Sequence, residues 1–263
     1  MSGVVEVKWV WLFLDTVETD AGPSWEFWRQ VTGSTLSPTR GERSEFATFL
    51  PSQGDPWIKV QAVQSGGGVH LDLDVDNPRL AAAEAAALGA TELGTIDDET
   101  GSTGVVIMAT PGGQTFCFTT HRGERAAQVR EGIETIVDQV CLDLPELSYA
   151  VDAVFWHELT GWELGHGSHR EFSFLRRPDH LPVRVLLQRL DERDGLARAH
   201  VDLACVDRSA TRAQHEALGA GFVADGRGWT VMSDPVGRHY CLTDRDPATG
   251  IRPAVTERAE PSW

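Results

Sequence analysis

The residues of this 263-residue chain best suited to chemistry come in matched pairs. His70 opens the run HLDLDVD and His200 opens HVDLACV, each with an aspartate two residues further on, Asp72 and Asp202. An imidazole can ligate a metal, act as a general base, or simply shape a polar pocket floor by hydrogen bonding. Gln61 and Gln188, Lys59 and Arg184, and Cys117 and Cys241 add further polar groups, as does His239. Such a set can bind a polar ligand, and a thiol beside an imidazole can serve as a nucleophile where the thiolate is held.

The pairing extends along the chain. Phe27-Trp28-Arg29-Gln30-Val31-Thr32-Gly33 returns as Phe155-Trp156-His157-Glu158-Leu159-Thr160-Gly161. Leu88-Gly89-Ala90 returns as Leu218-Gly219-Ala220, at the same distance from its histidine. Pro111-Gly112-Gly113 before Phe116-Cys117-Phe118 matches Pro235-Val236-Gly237 before Tyr240-Cys241-Leu242. Ordered landmarks at a nearly constant offset define two homologous halves.

Composition narrows the function classes. Hydrophobic residues make up 41% and charged residues 24%, the range of ordinary globular domains. A net charge of -16 argues against nucleic acid, because few cations are on hand to replace phosphate counterions. No apolar run approaches the ~20 residues of a membrane helix. The opening MSGVVEVKWVWLFLDT reads as a strand rather than a signal peptide, so the expected compartment is the cytoplasm. The four cysteines, Cys117, Cys141, Cys205 and Cys241, form no CxxC pair and read as buried thiols.

Each half reads as strand-helix-strand-strand-strand, twice. In the first half strands are expected at Val4 to Leu14, Thr35 to Pro38, Glu45 to Leu50 and Trp57 to Val63, with a helix from Ser24 to Thr32. Val69 to Val75 then leads into an alanine-rich helix opened by Asn77 and Pro78, followed by three short strands ending near Phe118. The second half repeats this from Thr135 to Leu242. Domain limits are expected at 1-120 and 133-245, with a charged linker at 121-132 and a loosely held tail at 246-263. His166 and His169 read as part of an exposed hairpin loop, and Trp28 and Trp156 as core.

Four strand-helix-strand-strand-strand units, with the FW…LTG helix end, the HLDL/HVDL strand and the PxGxxFC/YC ending, resemble the vicinal oxygen chelate superfamily and its glyoxalase-like domain branch. That resemblance implies an α+β fold of two tandem domains. Each would be two βαβββ units forming an open curved sheet around a cup, with helices on the convex side. Strand alternation then assigns faces. His70, Asp72, Lys59, Gln61 and Cys117 point into the first cup, and His200, Asp202, Arg184, Gln188, His239 and Cys241 into the second.

Metal-dependent members of the superfamily draw ligands from the first, fourth, fifth and eighth strands of a cup. By resemblance the fifth-strand ligands are His70 and His200, the fourth-strand ones Gln61 and Gln188, and cysteines replace the eighth-strand carboxylate. The first-strand position is expected near Lys8 or Trp9, and near Ile136 or Val137, none of which can donate. The expectation is therefore a protein that binds a small organic molecule in one or both cups without a cofactor or a complete metal site. The alternatives are a lyase or dioxygenase using Zn, Ni, Fe or Mn on His200, His239 and Gln188, and a drug-sequestering binder of the bleomycin-resistance type. Neither nucleic acid nor membrane is an expected partner, and monomer and homodimer both stay open.

Overall fold

A computed structural model describes residues 3-98, 100-127, 130-167 and 169-252. The first half contains β1 (Trp9–Val17), α1 (Ala21–Val31), β2 (Thr35–Leu36), β3 (Phe46–Leu50) and β4 (Ile58–Val63). It continues with β5 (Gly68–Val75), α2 (Pro78–Ala87), β6 (Thr91–Asp97), β7 (Thr103–Ala109) and β8 (Thr115–Thr120). In the second half β9 (Thr135–Leu144), α3 (Glu146–Thr160), β10 (Glu163–His166), β11 (Phe172–Arg176) and β12 (Arg184–Arg189) form one unit. β13 (Arg198–Cys205), α4 (Arg208–Ala217), β14 (Gly221–Gly226), β15 (Trp229–Ser233) and β16 (His239–Thr243) form the other.

Each half is one eight-stranded open sheet. Its order is β2-β3-β4-β1-β5-β8-β7-β6 in the first and β10-β11-β12-β9-β13-β16-β15-β14 in the second, so the expected α+β tandem fold is found. The opening strands of the two units meet antiparallel at the centre, β1 on β5 and β9 on β13. Local chemistry explains the matched helices α2 and α4. Asn77 and Asp207 each accept a backbone N–H three residues on, from Leu80 and Ala210. Gly89 and Gly219, both at φ +98°, then reverse the chain in a conformation a β-carbon would disfavour.

One hydrophobic core runs through both halves, because the helices serve both sheets. Trp28 of α1 packs on Tyr240 of β16 with ring centroids 5.2 Å apart, and its Nε1 donates to Asp234 at 3.0 Å. Trp156 of α3 lies 5.0 Å from Phe116 of β8. Asp152 of α3 accepts the Gly112 N–H at 2.8 Å, and a β-carbon at Gly112 would fall 2.1 Å from that carboxylate. The PGG turn therefore keeps a glycine where the two halves touch.

Two expectations are corrected. β1 begins at Trp9 rather than Val4, because Val5 donates to the Leu159 carbonyl and joins the other half instead. Residues 246-252 are not loosely held: Asp246 N–H donates to Ile251, and Arg184 donates to the Gly250 carbonyl. The rest of the expected tail, residues 253-263, and positions 128 and 129 of the linker lie outside the described residues. Among the described residues no helix is long and apolar enough to cross a membrane.

Candidate functional site

The parity of β5 and β13 is as expected. Leu71, Leu73, Val201 and Leu203 are buried in the core, while both histidines face the concave side beside the eighth-strand cysteines. The partner of each ring comes from a place the sequence did not point to. His70 Nδ1 lies 2.6 Å from Asp15 Oδ2, and His200 Nδ1 lies 2.8 Å from Asp143 Oδ2. The first-strand position therefore falls at Phe13 and Asp15, or Cys141 and Asp143, rather than at Lys8, Trp9, Ile136 or Val137. Register fixes this: Phe13 is paired with His70 and Cys141 with His200.

Asp72 and Asp202 reach the same rings from the other side. Their Oδ1 atoms lie 3.5 Å and 3.3 Å from Nε2 of His70 and His200, although neighbours two apart on a strand have backbones ~6.5 Å apart. Burial opposes charge on His70, yet hydrogen bonds to Asp15 and Asp72 outweigh it and raise its pKa to about 10. His200 is likewise raised well above 6.5: burial opposes, while the Cys141 sulfur, in its thiolate form, and the carboxylates of Asp143 and Asp202 favour the imidazolium. Burial keeps that thiol protonated, so the carboxylates carry the effect. Each ring thus stands between two carboxylates that favour its imidazolium form.

The four cysteines are free and buried, as expected. Burial raises the Cys117, Cys141 and Cys241 thiols, and that of Cys205 to about 11. Cys241 Sγ lies 3.6 Å from His200 Nε2, but an imidazolium already spent on two carboxylates does little to hold a thiolate.

Beyond this shared floor the cups differ. In the first, Lys59 Nζ sits 3.9 Å above the Trp11 ring, Arg125 lies 4.6 Å from the same ring, and His70 stacks on Phe13 at 4.6 Å. Side chains of the protein occupy the space over the histidine. A cavity of about 290 Å³ lies further along, lined by Trp11, Lys59, Asp74 and Arg125, without His70.

The second cup has Gln139 and Cys141 at the positions of Trp11 and Phe13, and it is open. A cavity of about 350 Å³ reaches down to His200, Asp202 and Cys241. Arg184, Leu186 and Gln188 of β12 form one wall, as the alternation predicts. Phe172, Phe174 and Trp229 form another, with the Phe172 and Trp229 rings edge to face at 5.8 Å. His166 and His169, expected in an exposed loop, line the cavity as well. His239 is exposed and does not line it, so that candidate ligand is not brought to His200.

Two further groups complete the site. Between β9 and β13 the register slips at Asp138, an extra residue that the bulge turns into the buried end of the cup. Arg245, assigned by sequence to the chain end beyond the last strand, clamps it with Nε 3.2 Å from Oδ2 and also reaches to 3.8 Å from Asp202. Arg245 is 10% exposed and Asp138 fully buried. Gly250, Ile251 and Arg252 then close the rim.

The donors of the second cup also fit a divalent cation. His200 Nε2 lies 3.3 Å from Asp202 Oδ1 and 3.6 Å from Cys241 Sγ. Ligands on a tetrahedral zinc are separated by roughly 3.3-3.8 Å for bond lengths of 2.0-2.3 Å. Asp202 Oδ1 is buried without a hydrogen-bond partner, and Asp143 holds the far ring nitrogen as an outer carboxylate does in histidine metal sites. The first cup repeats the group with His70, Asp72 and Cys117. The sequence pattern itself offers His200, Asp202 and Cys241 as groups able to converge; what it misplaces is the first-strand position, and with it Asp15 and Asp143 behind the two rings. Gln188 lines the same cavity, with its Oε1 3.6 Å from Cys141 Sγ.

Two βαβββ units around a cup with inward histidines define a vicinal oxygen chelate fold, here in tandem. The glyoxalase-like domain family matches residues 11-119 and 139-243, and the chain belongs to that family. A search of curated proteins gives no match. Among solved structures, the Mn(II)-bound glyoxalase from Novosphingobium aromaticivorans is 16% identical, with 92% of this chain and 83% of that one covered at a TM-score of 0.60. The 2,2',3-trihydroxybiphenyl 1,2-dioxygenase from Sphingomonas wittichii is also 16% identical, covering 92% and 90% at 0.61. An extradiol ring-cleaving dioxygenase from B. fuscum is 12% identical, covering 95% and 75% at 0.63. Likeness at these identities speaks for the fold.

Proposed function

We propose that this protein binds a small, flat organic molecule in its second cup. The observation that carries the reading is the contrast between two cups with one floor: in the first, Phe13 covers His70 and the cavity of about 290 Å³ does not reach it, whereas in the second a cavity of about 350 Å³ opens over His200. That volume lies within the ~300-1,000 Å³ of small-molecule sites, and aromatic walls with a few convergent polar groups are typical of them. His200, fixed by Asp143 and Asp202, offers a charged donor at the bottom of the cup, and Gln188 and Arg184 offer further donors on one wall.

A thermal-shift screen of flat metabolites tests this. A ligand at ~100 times its Kd should stabilise the fold by about 2.7 kcal/mol. Leu186→Trp, which fills the second cup, should remove the shift while leaving the fold intact. A full shift retained in that variant would place the ligand elsewhere and sink the reading.

A second reading, a metal-dependent lyase or dioxygenase, is favoured by one observation: the convergence of His200 Nε2, Asp202 Oδ1 and Cys241 Sγ. A metal there would supply Lewis-acid polarisation of a bound oxygen. This chain's own part is to surrender the Nε2 proton, with Asp143 keeping Nδ1–H in place. Elemental analysis with a chelation control decides it, as does proton release on titration with Zn or Mn. Stoichiometric metal lost together with Cys241→Ser and Asp202→Asn would favour the enzyme; no uptake and no released proton would leave the binder.

A further inference from the structure

The second cup carries more positive charge than its carboxylates neutralise. Asp202 accepts from Gln139 Nε2 at 2.6 Å through one oxygen, and its other oxygen faces His200 Nε2 at 3.3 Å. Asp138 is shared: Arg245 clamps it, Arg130 stands 4.0 Å away, and Arg184 feels its charge as well. One buried carboxylate thus faces three guanidinium groups.

Arg184 is left with the weakest share. Among the described residues its hydrogen bond is to the Gly250 carbonyl at 2.7 Å, and no carboxylate lies within ion-pair distance. Arg252, on the rim of the same cavity, has the Gly228 carbonyl at 3.4 Å. A guanidinium has five N–H donors, so both have donors to spare. Burial lowers the Arg184 pKa, and the like charge of Arg245 lowers it further, against the pull of Asp138. In a chain of net charge -16, under-neutralised arginines gathered at one aromatic-walled cavity mark a place for negative charge.

We propose that the second cup selects a small organic carboxylate with a flat, unsaturated body. The carboxylate lies against Arg184, whose planar fork matches its two oxygens, with Arg252 on the outer side. The body lies between Leu186 and the rings of Phe172, Phe174 and Trp229. This inference rests on the ligand-binding reading of the cup and adds the charge of the ligand to it. The first cup makes a useful contrast, since its Lys59 stands on the faces of Trp11 and Phe13.

The test uses the full chain and matched probes: benzoate, cinnamate and 2-naphthoate, each against its uncharged primary amide, by calorimetry at fixed ionic strength. The expected result is that carboxylates bind about tenfold or more tightly than the amides, the gain of a charged over a neutral hydrogen bond. Arg184→Gln should abolish most of that preference, bringing each carboxylate close to its own amide. Should the variant fail to fold, wild type decides the matter, because the carboxylate preference must fall as salt is raised. Amides binding as tightly as carboxylates would overturn the inference and leave the cup reading standing. Failure of both series to bind would overturn the cup reading, and this inference with it.

Discussion

His215 offers a direct test of how the two halves hold together. Its ring sits on α4, 3% exposed, with Nδ1 2.9 Å from the Tyr240 hydroxyl and its edge toward Phe27 of α1, 5.9 Å away. Burial lowers its pKa to about 4, so the ring is neutral in the folded protein and would have to lose its packing to charge. The unfolded chain binds that proton with a pKa near 6.5, so between about pH 6.5 and 4 the unfolded state holds more protons and folding weakens as pH falls. Worked through, the loss attributable to this one residue is about 2 kcal/mol at pH 5 and about 3 kcal/mol at pH 4, relative to pH 8. Other carboxylates titrate in the same window, so the informative quantity is a difference. His215→Gln keeps an acceptor for Tyr240 and cannot titrate. Urea unfolding of both proteins at pH 8, 6, 5 and 4 should give stability curves that converge as pH falls, the variant starting lower and losing less. Parallel curves would refute the claim that this ring is held neutral at the contact between the halves.

Arg245→Met should cost about 3-5 kcal/mol by stranding Asp138 in the core, and adding Asp138→Leu should recover most of it; denaturant unfolding of the single and double variants checks this. His70 has the opposite sign to His215: its raised pKa gives stability that is complete below about pH 6.5 and lost as pH rises through about 10, so the stability gap to His70→Gln should narrow across that range. Exchanging the first-strand pairs should move the open cup. Gln139→Trp with Cys141→Phe should abolish ligand binding, measured by calorimetry, while Trp11→Gln with Phe13→Cys should add a binding site at a cost of about 3-5 kcal/mol in stability.

The repeat and the strand period made the scaffold and the faces of β4, β5, β12 and β13 legible, because polar and apolar residues alternate there. Alternation failed where the pattern is unmarked. Val10 to Leu14 is buried on both faces, so no polar residue reveals which side is which, and Asp15 was taken only as the end of the strand. Asp143 was passed over in the same way. The bulge at Asp138 breaks the period within β9 and has no local signal. Arg245 carries no local signal, since its partners are 107 and 43 residues away in sequence and only folding brings them near. His166 and His169 were read from their glycine and serine neighbours, which describe a loop correctly but say nothing of the cavity that the loop borders.

Duplication explains why one chain holds both a filled cup and an open one. The floor is common to both: a histidine between two aspartates, a cysteine behind, and the same strand register. Such a floor is costly, because two carboxylates and an imidazolium are taken from water together, and each repays that only when fully hydrogen-bonded. In the first cup Phe13 covers the ring and Trp11 takes the charge of Lys59 on its face. In the second, two smaller side chains leave the ring open to a cavity, and Arg184 holds a single carbonyl. The rings that cover His70 have no counterpart over His200, and that space is the one the proposed ligand would fill.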